Sequence, residues 1–324
     1  MKNEPQAMRD VFIETLCQRM KKNKKIFFLS ADFGSPKLDR LRFEHKDRFL
    51  NVGIAEQNLI NVATGLALEG FSVYAYGLAP FISMRAYEQI RVNISLQSQL
   101  REININLISV GAGLSYEVSG PTHHCLEDIT ILRALPGLMF FSPSDWVLAQ
   151  KLVDFSIKVK KPKYLRFDAK PLPPVCFAKE KIDLNQGFRV LKEGAKLCLV
   201  STGYFTHTAM KVAELLGEEG IAVSVIDVFK LKPFASGLFQ QAIKKFNFIV
   251  TLEEGFINKG GLDSIVAEII GTKQRGIELI RLGFNDAYVF DIGNRQQLHK
   301  TVNLDQLSIL KRVKKILKKS NNQE

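Results

Sequence analysis

Residues 51–76 read NVGIAEQNLINVATGLALEGFSVYAY, and the change of period inside this stretch sets the fold class. Leu59, Val62, Ala63 and Leu66 recur at helical spacing and mark one buried face. Gly70 stops that helix. Phe71–Tyr76 then follows as a β-branched and aromatic run, the composition of a strand. The helical pattern covers residues 55–69, so Glu56 falls in its first turn. An acid there complements the helix dipole. A carboxyl group near a sheet edge, its pKa raised, is the other reading: it can donate or share a proton.

The same alternation extends in both directions. Strand patterns lie at 26–31, 105–110, 139–142 and 164–167, with helical patterns at 84–96, 126–135 and 145–159 between them. Strands separated by helices of this length imply βαβ units and a mainly parallel, doubly wound sheet. The run KPLPP at 170–174 can continue neither a helix nor a central strand, because proline lacks the donor and fixes φ. The pattern then restarts, with strands at 197–201, 222–227, 248–252 and 278–282 and helices at 206–216, 238–246 and 262–270. The expectation is an α/β chain of two doubly wound parallel-sheet domains, 6–169 and 187–324, joined by a linker at 170–186.

Composition narrows the function. The chain has 324 residues, 46% of them hydrophobic and 24% charged, ordinary for a globular protein of two domains. Its longest apolar runs are too short to span a membrane. Cys17, Cys125, Cys176 and Cys198 are scattered without CxxC spacing, which suits reduced thiols in the cytoplasm. The net charge of +12 is concentrated at Lys21–Lys25 and in the tail helix LSILKRVKKILKKS, without interleaved aromatics. That argues against nucleic acid and suits anionic small molecules.

Four further features carry chemistry. Gly120-Pro-Thr-His-His124 is a rigid turn delivering two imidazoles to a helix entrance. Turn histidines without a site role are the alternative, and no fourth ligand stands near for a metal. Phe81, Met84 and Tyr87 recur on one face of PFISMRAYEQI, a stripe that serves equally as core. Arg9 and Arg166 each lie beside an apolar element, where a surface ion pair is the plain reading.

In this order, MRDVFIETL with Arg9, FLSADFG, NVGIAEQN, PFISMRAYEQ, GPTHH and LRALPGL resemble the pyrimidine-binding domain of transketolase and of 1-deoxy-D-xylulose-5-phosphate synthase. VSTG and TLEEGFINKGG resemble that family's C-terminal domain, so the resemblance covers nearly the whole chain. It implies thiamine diphosphate as cofactor, which carries the difficult chemistry as an ylid and electron sink. Glu56 matches the glutamate that hydrogen-bonds the aminopyrimidine ring, with burial keeping its carboxyl protonated. Phe81, Met84 and Tyr87 match positions lining that ring; Met84 stands where an aromatic is common. His123 matches a histidine that contacts sugar hydroxyls and assists proton transfer. His124 matches a neighbouring substrate position. Arg9 and Arg166, joined by Ser35, match the residues that bind the sugar phosphate.

Two positions depart from the family. Ser119 stands where an aspartate precedes GPTH, and Gly111 where a substrate-contacting histidine stands. Both touch donor stereochemistry, so the resemblance leaves the sugar open. Transketolases hold the diphosphate and Mg²⁺ with a GDG…N motif, and no GDG occurs in this sequence. The resemblance therefore implies a partner subunit that supplies those contacts, in an α2β2 assembly that moves a two-carbon ketol unit between phosphorylated sugars. A 2-oxoacid dehydrogenase beta-type subunit, a synthase-like decarboxylating subunit and a non-enzymatic scaffold are the competing readings. GPTHH favours transketolase over the beta subunits, and Glu56 in its full context argues against a scaffold.

Overall fold

The computed structural model describes residues 4–175, 181–273 and 276–321; Cys176 and part of the expected linker lie outside them. The first unit contributes strands β1 (Ile26–Ser30), β2 (Phe49–Asn51), β3 (Ser72–Leu78), β4 (Asn104–Val110), β5 (Met139–Phe141) and β6 (Lys163–Phe167). All pair in parallel, in the order β5-β6-β4-β3-β1-β2. Helices Met8–Lys22 and Trp146–Lys158 cover one face, packed over Phe28, Tyr74 and Phe167. Glu56–Leu68 and the helical segment 81–100 cover the other, over Leu29, Val73 and Leu107. Every position of β4 is buried, including Asn104 and Asn106. Lys163 spans the polar gap this leaves, its Nζ donating to Asn104 Oδ1 (2.9 Å) and to the Lys161 carbonyl (2.7 Å). Burial pushes the Lys163 amine down to about 7.

The second unit has β7 (Phe188–Lys192), β8 (Leu197–Ser201), β9 (Ser224–Val228), β10 (Lys230–Lys232), β11 (Phe248–Phe256) and β12 (Glu278–Phe284). Its sheet runs β12-β11-β8-β9-β7, parallel except for the edge strand β7. Strand β10 leaves that sheet and pairs antiparallel with β5 of the first. The two units therefore share a seven-stranded sheet, a link that the period of the sequence did not reveal because three residues carry no period. The tail forms the expected helix, Gln306–Asn321.

A buried polar seam joins the units next to β6. Arg295 donates to Asp168 Oδ2 (2.5 Å) and Glu254 Oε1 (2.8 Å), and His299 Nε2 lies 2.7 Å from Glu254 Oε1. Burial alone would raise the Glu254 carboxyl; the Arg295 charge and these hydrogen bonds hold it well below the usual range.

Candidate active site

Because β1 to β6 run in one direction, their following loops gather at one edge, the place where open parallel sheets bind ligands. Asn51, ending β2, accepts from the Asp32 and Gly53 amides (both 3.0 Å) and donates to Asp32 Oδ1 (2.8 Å). Gly53 has φ +78, a left-handed conformation that glycine adopts without strain. This locked turn delivers Glu56 as the first residue of its helix, 3% exposed. Arg85 Nη1 donates to Glu56 Oε2 at 2.7 Å. The Arg85 guanidinium also stands over the Phe81 ring, 4.5 Å from its centroid. Phe81 in turn meets the His123 imidazole edge-on, with centroids 5.3 Å apart. Glu56, Arg85, Phe81 and His123 thus form one continuous cluster drawn from three loops.

Arg85 escaped the sequence reading because that reading followed the apolar positions of a segment whose residues 81–85 form a π-helical turn. Its i→i+5 hydrogen bonding widens the turn. Arg85, four residues on, stands over Phe81. Met84 stands 40% exposed. Tyr87 is partly buried: its hydroxyl donates to the Ile131 carbonyl (3.1 Å) and its ring packs against the core. The Glu56 carboxyl is thus buried and also meets a cation.

His123 is half-buried, its Nδ1 3.0 Å from Thr122 Oγ1. His124 is buried, with the Glu117 backbone beside its ring and no side-chain hydrogen-bond partner among the described residues. Burial lowers its pKa below 6.5, so the imidazole is neutral at pH 7. Such a group is costly unless something binds it. Ser119 is exposed on the turn 117–119.

Two expected phosphate ligands have other work. Arg166 is buried, with Nε on both Asp128 oxygens (2.8 and 3.1 Å) and Nη2 on the Cys125 and Glu254 carbonyls (3.2 and 2.9 Å). It ties the GPTHH loop to β11, and its donors point into protein. Ser35 caps helix Pro36–Glu44, accepting from Lys37 N and donating to Asp10 Oδ1 (2.6 Å). Arg9 keeps an open side: it grazes Asp10 at 3.4 Å and lies 5.7 Å from the Phe33 ring centroid.

A buried carboxyl beside an aromatic face fits one edge and one face of an aminopyrimidine ring. No acidic or thiol cage for an ion accompanies it among the described residues. There the one close group of metal-type ligands is Cys17, Glu44 and His45. Lys21 and Arg40 sit on the Glu44 carboxylate (3.0 and 2.6 Å), and both His45 nitrogens are engaged by Cys17 O and Arg48. Cations occupy the place an ion would need.

Residues 4–174 match the pyrimidine-binding domain of transketolase and residues 187–309 match the transketolase C-terminal domain. A putative transketolase C-terminal section from Methanocaldococcus jannaschii is 32% identical over 97% of each chain. One of the subunits of an apulose-4-phosphate transketolase from Actinobacillus succinogenes is 32% identical over 94% of this chain and 96% of that one. Among solved structures, a split-gene transketolase described as an inactive beta4 tetramer superposes with a TM-score of 0.84 at 31% identity, over 95% of this chain and 97% of that one. The chain belongs to the transketolase family, and is built of that family's pyrimidine-binding and C-terminal domains.

Proposed function

We propose that this chain is the C-terminal subunit of a split, thiamine-diphosphate-dependent transketolase, active in the cytoplasm once an N-terminal subunit joins it. The observation that carries the reading is the Glu56–Arg85–Phe81–His123 cluster at the carboxyl edge of the first sheet. Bound thiamine diphosphate supplies the carbanion chemistry. This chain's task is to hold the pyrimidine end and the sugar. Glu56 hydrogen-bonds the ring edge and holds the proton there; Arg85 shares the carboxyl until the ring edge takes its place. Phe81 supplies a face, and exposed Met84 closes the ring's other side against the partner surface. His123 moves protons at a substrate hydroxyl. Neutral His124 both donates and accepts towards the sugar, with Ser119 at the rim. Arg9 binds the phosphate.

The diphosphate and Mg²⁺ belong to the partner, since this edge lacks an acidic cage among the described residues. The partner carries the GDG…N motif, and two copies of each chain form an α2β2 assembly. A solved relative that forms a β4 tetramer described as inactive supports this need for a second kind of chain.

The test is reconstitution. The chain is co-purified with a GDG-containing N-terminal transketolase chain, sized by light scattering, and assayed with a ketose phosphate and an aldose phosphate. Ketol transfer by the complex, and none by either chain alone, is expected. Glu56→Gln lowers kcat about 10³-fold with the melting temperature and assembly unchanged. Transfer by the isolated chain, turnover of pyruvate in place of ketose, or full activity of Glu56→Gln sinks the reading.

A further inference from the structure

Strand β8 ends at Ser201, and Thr202-Gly203-Tyr204 turns the chain into helix Phe205–Glu218, 14 residues long. Gly203 is left-handed at φ +57, and Tyr204 is right-handed at φ −56 and ψ −38. Backbone that changes hand between two residues turns successive amides to one side, the concave form that receives anions. The amides of Gly203, Tyr204 and Phe205 make no hydrogen bond among the described residues, and no side chain caps the helix. Gly203 and Phe205 are buried, so bulk water does not serve these donors. A helix end enclosed in this way calls for a partner, and its partial positive charge favours an anion.

The first unit completes the enclosure. A Cβ built on Gly203 would lie 3.2 Å from Ser142 Oγ, just past β5, and 3.7 Å from Arg166 Nη1 on β6. The glycine therefore leaves a methyl-sized gap that two groups of the first unit face. Ser142 and Thr202 are each 1% exposed, and neither hydroxyl has a hydrogen-bond partner among the described residues. Arg166 spends Nε on Asp128 and Nη2 on the Cys125 and Glu254 carbonyls. Its Nη1 makes no hydrogen bond among the described residues, and Asp128 balances the charge from the Nε side. Unspent donors from both units thus meet at one point of the seam.

We infer that the crevice beside Gly203 binds a small inorganic anion, of the size and charge of chloride. Ser142 and Thr202 donate their O–H groups to it, Arg166 donates through Nη1, and the open amides supply the helix end. The ion ties β5 and β6 of the first unit to the second unit's helix. A buried water is the competing occupant. Water would bring two hydrogens to a gap whose amides and guanidinium can only donate; an anion brings none. The inference stands apart from the ketol-transfer reading.

Thermal unfolding of the full chain tests it, at fixed pH and ionic strength, as sodium gluconate is exchanged for sodium chloride. The melting temperature is expected to rise saturably, by about 2–4 °C at about 100 mM chloride, and bromide to act alike. Ser142→Ala removes one donor and is expected to lose most of that rise. In crystals of the parent chain soaked in sodium bromide, an anomalous peak is expected in contact with Ser142 Oγ and Arg166 Nη1. No rise in the parent chain, or an equal rise in Ser142→Ala, overturns the inference and leaves water in the gap. A bromide peak without halide-dependent stability means an adventitious ion only, which also overturns it. Should Ser142→Ala not fold, the bromide peak decides where the parent's halide effect arises, and a peak elsewhere sinks the site.

Discussion

The carboxyl edge of the first sheet and the seam between the two units lie side by side, yet they treat polar groups in opposite ways. At the seam the charges answer one another. Asp128 holds Arg166, Arg295 holds Asp168 and Glu254, and His299 meets Glu254. At the edge, the His124 imidazole and the Tyr116 hydroxyl are shielded from water, with the Glu117 backbone and the Arg9 guanidinium as their polar neighbours. Unsatisfied buried groups cost stability. The edge leaves polar groups sparsely partnered, while the seam uses similar side chains as structure. Arg166 and Arg9 show the difference within one residue type.

That contrast can be broken by mutation, and the seam should give the largest effect. Arg166→Met leaves Asp128 buried without its cation and should cost about 3–5 kcal/mol of stability, measured by urea unfolding. A loss below about 1 kcal/mol would mean the pair is not buried in solution. Arg85→Gln should do the reverse. Its side chain is 46% exposed, so stability should change by about 1 kcal/mol at most. Ketol transfer by the complex should fall about 10²-fold, because Glu56 and Phe81 lose the group that spaces them.

His124→Leu sharpens the comparison further. Removing a sparsely bonded imidazole from a buried place should leave stability within about 1 kcal/mol of the parent. KM for the sugar should rise all the same. A large loss of stability would show that the imidazole is a structural group after all. The smallest effect is on pH. Burial holds His124 and His207 below 6.5, so the unfolded chain takes up protons that the folded chain refuses. Stability is fully present above pH 6.5 and falls as pH drops through the window beneath it. His124→Leu should flatten that slope in unfolding curves taken between about pH 7 and 5.

Much of this was legible in the residues themselves. The period of NVGIAEQNLINVATGLALEG placed Glu56 in the first turn of a buried helix, and the structure agrees. GPTHH announced two imidazoles at a turn, but did not say that one would be half-buried and the other enclosed. Arg85 lay inside PFISMRAYEQI four residues after Phe81, but the reading followed the apolar positions there and a charge among them announced no partner. Tyr116 left no signal, because its neighbour across the turn is a glycine and glycine carries no pattern. Strand β10 was hidden by its length.

What the sequence determined by itself is everything local: the alternation of strand and helix, the break at KPLPP, the first-turn acid and the paired histidines. These follow from periodicity and backbone sterics, which act within a few residues. Tertiary structure alone decided which charges are spent and which are available. Arg166 meets Asp128 across 38 residues and the Glu254 carbonyl across 88, and no local pattern encodes a partner that distant. Charge pairing is a property of the packed chain, because the energy that selects it appears only when water has been excluded from both groups.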